Sequence, residues 1–439
     1  MEYSLDTLAE WDERICTLAK GHGLDWYEIA YETLDYYSMI GAMAYHGLPT
    51  HFDHWSYGKT FEQTVHRYNM GMEGLPYELI INSDPSIAYL MRENPLYLQV
   101  LIMAHCVGHS DFFKNNRMFR NTRAETAVPR FRAAKKRIQG YIEDTNIGIE
   151  EVEKVIDACH AVQFQTTKYG QIRRSHAEVK AEYIEMLNEE KNKKDSKLKL
   201  KKIDLNKIPL EPDYDILGFI AEHGKMPSWK RDIIEVCRDE GQYFWPQIQT
   251  KVMNEGWASY WHYTLCHELE LPDEMHIPFV KMHNQVVRPH LGAINPYHLG
   301  FHLFQKIKER HGIDECFLAR ESCHDAAFLR QYLTEEDCVE LNLFTYSSKR
   351  RGEVTVDDVS DELGWEQVRA ELIKSVGGGS IPAVYVEEIG KNGSLVVRHE
   401  HDGRDLELSH TNQVVEHLKQ LWGGEVKFFT IIEEEPWEI

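Results

Sequence analysis

Ala104-His105-Cys106-Val107-Gly108-His109 and, far downstream, Asn254-Glu255-Gly256-Trp257-Ala258 are the two stretches that decide how this chain is read. The apolar run from Pro95 to Phe113 has the composition of a buried helix. Residues four apart on a helix project from one face, so such a helix presents His105 and His109 side by side. The second stretch also sits in a helical pattern, Gln247 to Leu269, with Glu255 on the same face as Ser259 and His262 at i+4 and i+7.

Two histidines at this spacing are the pair with which zinc-peptidase helices grip a metal ion. Zinc that is to activate water also needs a third protein ligand and an open position. Glu255 is the candidate third ligand, because Asn-Glu-Gly-Trp-Ala resembles the Asn-Glu-Gly-Phe-Ala stretch of gluzincin aminopeptidases. Between His109 and Glu255 lie 145 residues, more than in the simplest enzymes of that type. Histidine and glutamate suit several divalent ions, so manganese or iron stays open beside zinc.

The glutamate that ordinarily follows the first histidine as general base is Cys106 here. Position i+1 lies about 100° round the helix from His105, so Cys106 is expected as a small buried hydrophobe. A base must then come from elsewhere, with Glu240 the first candidate and His160 and Glu268 behind it. Alternatively the metal polarises an amide or acyl carbonyl for attack by an amine, making a bond. His262 or Tyr260 could hydrogen-bond a developing oxyanion. For substrate contacts the block around His283, Asn284, Arg288, Asn295 and Tyr297 is the candidate, Arg288 being suited to clamp a carboxylate. His54, with His51 and Trp55, either lines the same cleft or packs. Adjacent residues do not point together, so Cys323-His324-Asp325 is not read as a catalytic string.

The rest of the chain sets the frame. Its 439 residues allow a large core and more than one domain. A formal charge of −22 argues against a nucleic-acid partner and against adhesion to anionic membrane. No stretch approaches the roughly 20 apolar residues of a membrane span, and the N-terminal residues lack a signal-peptide pattern. The eight cysteines are scattered without a CxxC pair and are expected as reduced thiols in the cytoplasm. Residues 5–46 read as two helices broken at Gly21-His22-Gly23. The fold expected is mainly α: a large helical, zincin-like (gluzincin-like) body over 1–339, interrupted by a lysine-rich connection at 188–208, and a small α+β domain over 340–439. In that last domain strands are expected at Leu341 to Tyr346, Gly352 to Val356, Ile381 to Val386, Leu395 to His399 and Val426 to Ile432. Helices are expected at Glu362 to Val376 and Thr411 to Trp422, with a hairpin turn at Asn392-Gly393.

Several blocks together carry a family resemblance: His105-x-x-Gly108-His109-x-Asp111 through Asn116, Asn254 to Ala258, and His283-Asn284 through Arg288-Pro289 to Asn295-Pro296-Tyr297-x-Leu299-Gly300. With Gly47-Leu48-Pro49, His54-Trp55-Ser56 and Asp157 to Ala161 they resemble the SpoVR (stage V sporulation protein R-like) family over essentially the whole chain. The resemblance implies a link to spore cortex formation and a bacterial cytoplasmic partner system, with a PrkA-like serine protein kinase and a YeaH/YhbH-like protein as partners. It supplies no reaction. Two functions follow as expectations: a zinc-dependent enzyme acting on peptide or amide bonds of a peptide or protein substrate, or an inactive zincin-like scaffold binding partners of the kinase system.

Overall fold

The computed structural model describes residues 3–48, 51–70, 78–166, 173–192, 204–290, 294–349, 353–359 and 364–439. It divides into two compact units, Met1–Lys136 with Tyr243–Ser380, and Arg137–Gln242 with Ile381–Ile439. This division differs from the border at 339/340 suggested by sequence texture.

The first unit begins with helix α1 (Leu5–Gly21), whose N-cap Ser4 accepts a hydrogen bond from the Thr7 amide. Strand β1 (Ile29–Leu34), helices α2 (Tyr36–Ala44) and α3 (Trp55–Asn69), and strands β2 (Glu78–Ile81) and β3 (Ser86–Met91) follow. The strands form one sheet in the order β1-β3-β2, parallel between β1 and β3 and antiparallel between β2 and β3. Here the expectation of two helices over 5–46 is corrected. Trp26, Ile29, Ala30 and Leu34 do recur at helical spacing, but Ile29 to Leu34 pair with Ser86 to Met91, a partner more than 50 residues away that local periodicity cannot register.

Helix α4 (Leu96–Asn115) comes straight after the sheet and is buried on every side from Leu98 to Phe113. Apolar residues all round, rather than on one stripe, mark a helix enclosed by protein. After α5 (Ala127–Glu143), the chain runs through α6 (Gly148–His160), α7 (His176–Asn192), α8 (Ile216–His223) and α9 (Ser228–Gln249). The border between the units falls inside α5 and α9. Most of the expected lysine-rich connection at 188–208 lies outside the described residues.

The first unit resumes with α10 (Lys251–Glu268), α11 (Asp273–Val286), α12 (Pro296–His311), α13 (Ile313–Ser322), α14 (Asp325–Tyr332) and α15 (Glu335–Glu340). The antiparallel pair β4 (Phe344–Lys349) and β5 (Glu353–Val359) and helix α16 (Trp365–Ser375) complete it. One core joins α1, α4, α10, α12, α13 and α14 through residues such as Ile15, Val107, Trp257, Phe304 and Phe328.

In the second unit β6 (Val384–Ile389), β7 (Leu395–His399), β8 (Val426–Ile432) and β9 (Glu435–Glu438) form a sheet in sequence order, with α17 (Leu408–Trp422) crossing between β7 and β8. The expected strands and helix are present, and Gly393 makes the β6–β7 turn at φ +85°. Strand β9 was not expected; its Glu435-Pro436-Trp437-Glu438 carries no strand pattern and is exposed throughout.

The centre of the first unit is set by two close helix crossings. A Cβ on Gly108 of α4 would stand 2.7 Å from Ala258 Cα of α10, and one on Gly256 would stand 2.4 Å from Gly300 of α12. Glycine is therefore required at these points for the helices to meet. Gly300→Ala, whose Cβ would fall 2.1 Å from the Val252 carbonyl oxygen, is expected to cost about 1–3 kcal/mol or more. Gly58→Ala on α3 meets nothing within 4 Å and is expected to be neutral or to stabilise by up to ~1 kcal/mol. Urea denaturation of both variants measures the contrast.

Candidate metal centre

Residues of the two quoted stretches meet across α4 and α10. His105 and His109, one turn apart on α4, turn their Nε2 atoms toward Glu255 Oε2 of α10, at 3.8 Å and 3.4 Å. The three donor atoms lie within 4.8 Å of one another, with both histidines buried and Glu255 partly accessible. Beside them Asn254 Oδ1 meets His109 Nδ1 at 2.9 Å. Trp257 donates its indole N–H to Asp111 Oδ2 at 2.8 Å, and Ala258 is the residue against which Gly108 packs.

The geometry fits a small divalent cation. Two ligands of a tetrahedral zinc ion, each about 2.0–2.2 Å from it, stand about 3.3 Å apart. The nitrogen–oxygen separations here, 3.4 and 3.8 Å, both lie above that figure, and both exceed the usual N–H···O range. Glu255 Oε2 is buried with no hydrogen-bond partner, which is costly unless something positive meets it. Burial pushes the Glu255 carboxyl up, but the two imidazoles outweigh it and hold it well below the usual carboxylate range.

Around the donors lies a layer of buried polar groups. His105 Nδ1 meets His262 Nδ1 at 2.8 Å, and His262 Nε2 meets His283 Nδ1 at 2.8 Å. Burial, reinforced by neighbouring imidazoles, lowers His262 well below the ordinary histidine range and His283 to about 4. Asp111 also accepts the Asp25 amide at 2.8 Å and faces Arg320 at 3.4 Å. Burial raises its carboxyl to about 6, with these partners opposing. Asp325 takes the Val252 and Met253 amides at 2.9 Å each. It thereby caps the first turn of α10, the turn just before Glu255, where a carboxylate complements the exposed N–H groups.

A family model described as SpoVR like protein matches residues 2–381, and one described as SpoVR-like C-terminal domain matches residues 383–433. The chain belongs to the SpoVR family. It is 30% identical over 473 residues to "Uncharacterized protein YcgB" of Escherichia coli (strain K12), a match covering 97% of this chain and 92% of that protein. No solved structure matches.

The other residues singled out in this SpoVR chain are placed as follows. His262 has both ring nitrogens engaged by His105 and His283, so it orients a donor and has no N–H left for an oxyanion. His283 stands behind it, buried, rather than facing a substrate. Tyr260 packs on Trp257 and Trp261 and bonds Lys308, on another side of α10. Tyr297 is beside the cluster, its ring stacked on His105 with centroids 6.1 Å apart. Asn295 caps α12 through the Tyr297 amide and donates to the Val286 and Arg288 carbonyls, which is a turn-forming role. Arg288 and Asn284 are exposed and line a shallow hollow along α11 with His276 and Lys281.

His54 is the N-cap of α3, with its Nδ1 on Ser56, and packs among Trp55 and Tyr57. Glu240 and His160 belong to the second unit, where Glu240 is buried close to Cys237. Glu268 pairs with His22 at 2.8 Å, 13 residues and roughly 20 Å along α10 from Glu255. Cys106 is fully buried, within electrostatic reach of Tyr31, in the core. Asp325, of the Cys323-His324-Asp325 run, turns its carboxyl to the Val252 and Met253 amides at the start of α10.

Spacing alone assigns no role to Asn254 or Asp111 and gives no cap signal for Asp325 toward α10, since each of these contacts joins different helices. Asn254→Ala is expected to leave the His109 Nδ1 hydrogen without its acceptor and to lower stability by about 1–3 kcal/mol. It should also weaken cation affinity about 10- to 100-fold. Urea denaturation and calorimetric titration with zinc read the two effects separately.

Proposed function

We propose that this SpoVR protein is a divalent-metal-dependent enzyme that acts on a peptide or amide bond, with His105, His109 and Glu255 holding zinc. The observation that carries the reading is the convergence of two imidazoles and one buried carboxylate oxygen without a hydrogen-bond partner at near-ligand separations. Zinc bound there would supply Lewis-acid polarisation of a carbonyl or a water. A zincin-like arrangement fits the order of elements, with a small sheet, then the HxxxH helix α4, then the glutamate helix α10.

The chain's own residues define what such an enzyme does. Asn254 fixes the ring of His109 so that Nε2 faces the site, and His262 does the same for His105. Tyr297, stacked on His105, forms part of the wall. Cys106 faces the core and takes no part in proton transfer. With no carboxylate at position 106, the reaction favoured is an acyl substitution in which the nucleophile bonds to the carbonyl carbon, the bond to the leaving group breaks, and the nucleophile's proton passes to that leaving group. This accommodates amide formation or acyl transfer as well as hydrolysis. The substrate class is a peptide, either a cell-wall peptide precursor, in keeping with the spore-cortex association of the family name, or a regulatory protein. The setting proposed is the cytoplasm; among the described residues no helix is long and apolar enough to cross a membrane.

The absent motif glutamate favours one alternative: a catalytically inactive zincin-like scaffold that binds a PrkA-like kinase and a YeaH/YhbH-like protein. Metal analysis separates the two. Purified protein is expected to carry about one equivalent of zinc or a similar divalent ion, and His105→Ala and Glu255→Gln to carry almost none while remaining folded by circular dichroism. Zinc at about 100 times its Kd should stabilise wild type by about 2.7 kcal/mol and neither variant. A wild type without metal that still complements a deletion strain decides for the scaffold.

A further inference from the structure

We propose that His283 is a positioning residue for the cation site, acting through His262 to fix the tautomer in which His105 offers its Nε2 lone pair to the metal. This rests on the metal reading above and extends it to a side chain two hydrogen bonds away from the cation.

The argument follows from counting hydrogens. His105, His262 and His283 are 2%, 0% and 3% exposed, and they are joined end to end by two contacts of 2.8 Å. A neutral imidazole carries one N–H and one lone pair. The first contact joins Nδ1 of His105 to Nδ1 of His262, so one of those atoms holds the hydrogen and the other accepts it. The second contact then obeys the same condition. Only two patterns keep both bonds with three neutral rings.

In the outward pattern, His105 Nδ1–H donates to His262 Nδ1 and His262 Nε2–H donates to His283 Nδ1. The His283 hydrogen sits on its Nε2, and His105 Nε2 is a lone pair. In the inward pattern every hydrogen bond is reversed and His105 Nε2 carries a hydrogen, which blocks a cation. In the metal-free chain the Glu255 carboxylate, 3.8 Å from His105 Nε2, favours the inward pattern, since an ionised carboxylate only accepts. A bound cation chooses the outward pattern, and that pattern needs an acceptor for the His262 Nε2–H. His283 Nδ1 is that acceptor.

An apolar side chain at 283 would leave His262 a choice of losses. It could bury an N–H without a partner, or flip its hydrogen to Nδ1 and force His105 into the blocking form. His283 is itself held by rings, with Tyr263 at 4.7 Å and Phe301 at 4.9 Å between centroids. Its position on α11 thus makes that helix part of the cation site. His109 is independent of this chain, since its Nδ1 is served by Asn254.

The test uses the full-length protein. Two-bond proton–nitrogen NMR of zinc-loaded wild type, labelled with nitrogen-15 in histidine, is expected to show hydrogens on His105 Nδ1, His262 Nε2 and His283 Nε2. A hydrogen on His262 Nδ1 overturns the proposal, and this measurement needs no variant to fold. In calorimetric titration with zinc, His283→Leu should lose about 10- to 100-fold in affinity. His283→Asn, whose carbonyl oxygen can take the place of Nδ1, should recover to within a few-fold of wild type. Wild-type affinity in His283→Leu, or no recovery in a folded His283→Asn, overturns the proposal while leaving the metal reading intact. A wild type that takes up no divalent cation defeats both.

Discussion

The approach of α4 to α10 is the constraint on which the rest of the first unit depends. A helix pair ordinarily keeps its axes about 8–10 Å apart because side chains intervene. Gly108 lets the backbone of α4 come against Ala258, and Gly256 lets α10 come against Gly300 on its other side. That short range brings the histidines of one helix to within 3.4 and 3.8 Å of the glutamate of the other. Gly108 directly precedes His109 and Gly256 directly follows Glu255, so each close crossing sits one position from a polar residue.

Bringing helices so close buries charge, and two of the buried carboxylates are met by several donors. Isolated in an interior, a carboxylate would lose several kcal/mol of solvation. Asp111 is met by an amide, an indole N–H and a guanidinium, and Asp325 by two amides at a helix start. Those contacts tie α4 and α14 to α10. Glu255 differs from them: its Oε2 has imidazole nitrogens beside it and no bonded donor. That contrast, with both imidazole nitrogens close by, is what supports the metal reading.

Much of this was legible in the sequence because it is local. Helical spacing announced the histidine pair, the apolar run announced a buried α4, and Asn392-Gly393 announced its turn. The placement of Cys106 in the core followed from the 100° step alone. What the sequence withheld was non-local. Parallel pairing of β1 with β3 joins segments whose own patterns are ambiguous, so Ile29 to Leu34 read as helix. His262 and His283 looked like catalytic and substrate-binding groups because their residue types suit those tasks. Their joining end to end with His105 depends on which way the rings face across different helices, and no spacing rule encodes that. Glu240 was chosen for its chemistry, with nothing local to say which unit it joins.

The interleaving of the two units carries a consequence for the order of events at the ribosome. His105 and His109 emerge 145 residues ahead of Glu255, an interval of roughly 7–30 s at ordinary synthesis rates of about 5–20 residues per second. Meanwhile α4, apolar on every side, has neither α10 nor α12 to cover it. The nascent chain must therefore shelter that helix, by chaperone or by provisional burial against α1 and the early sheet, before its lasting neighbours exist.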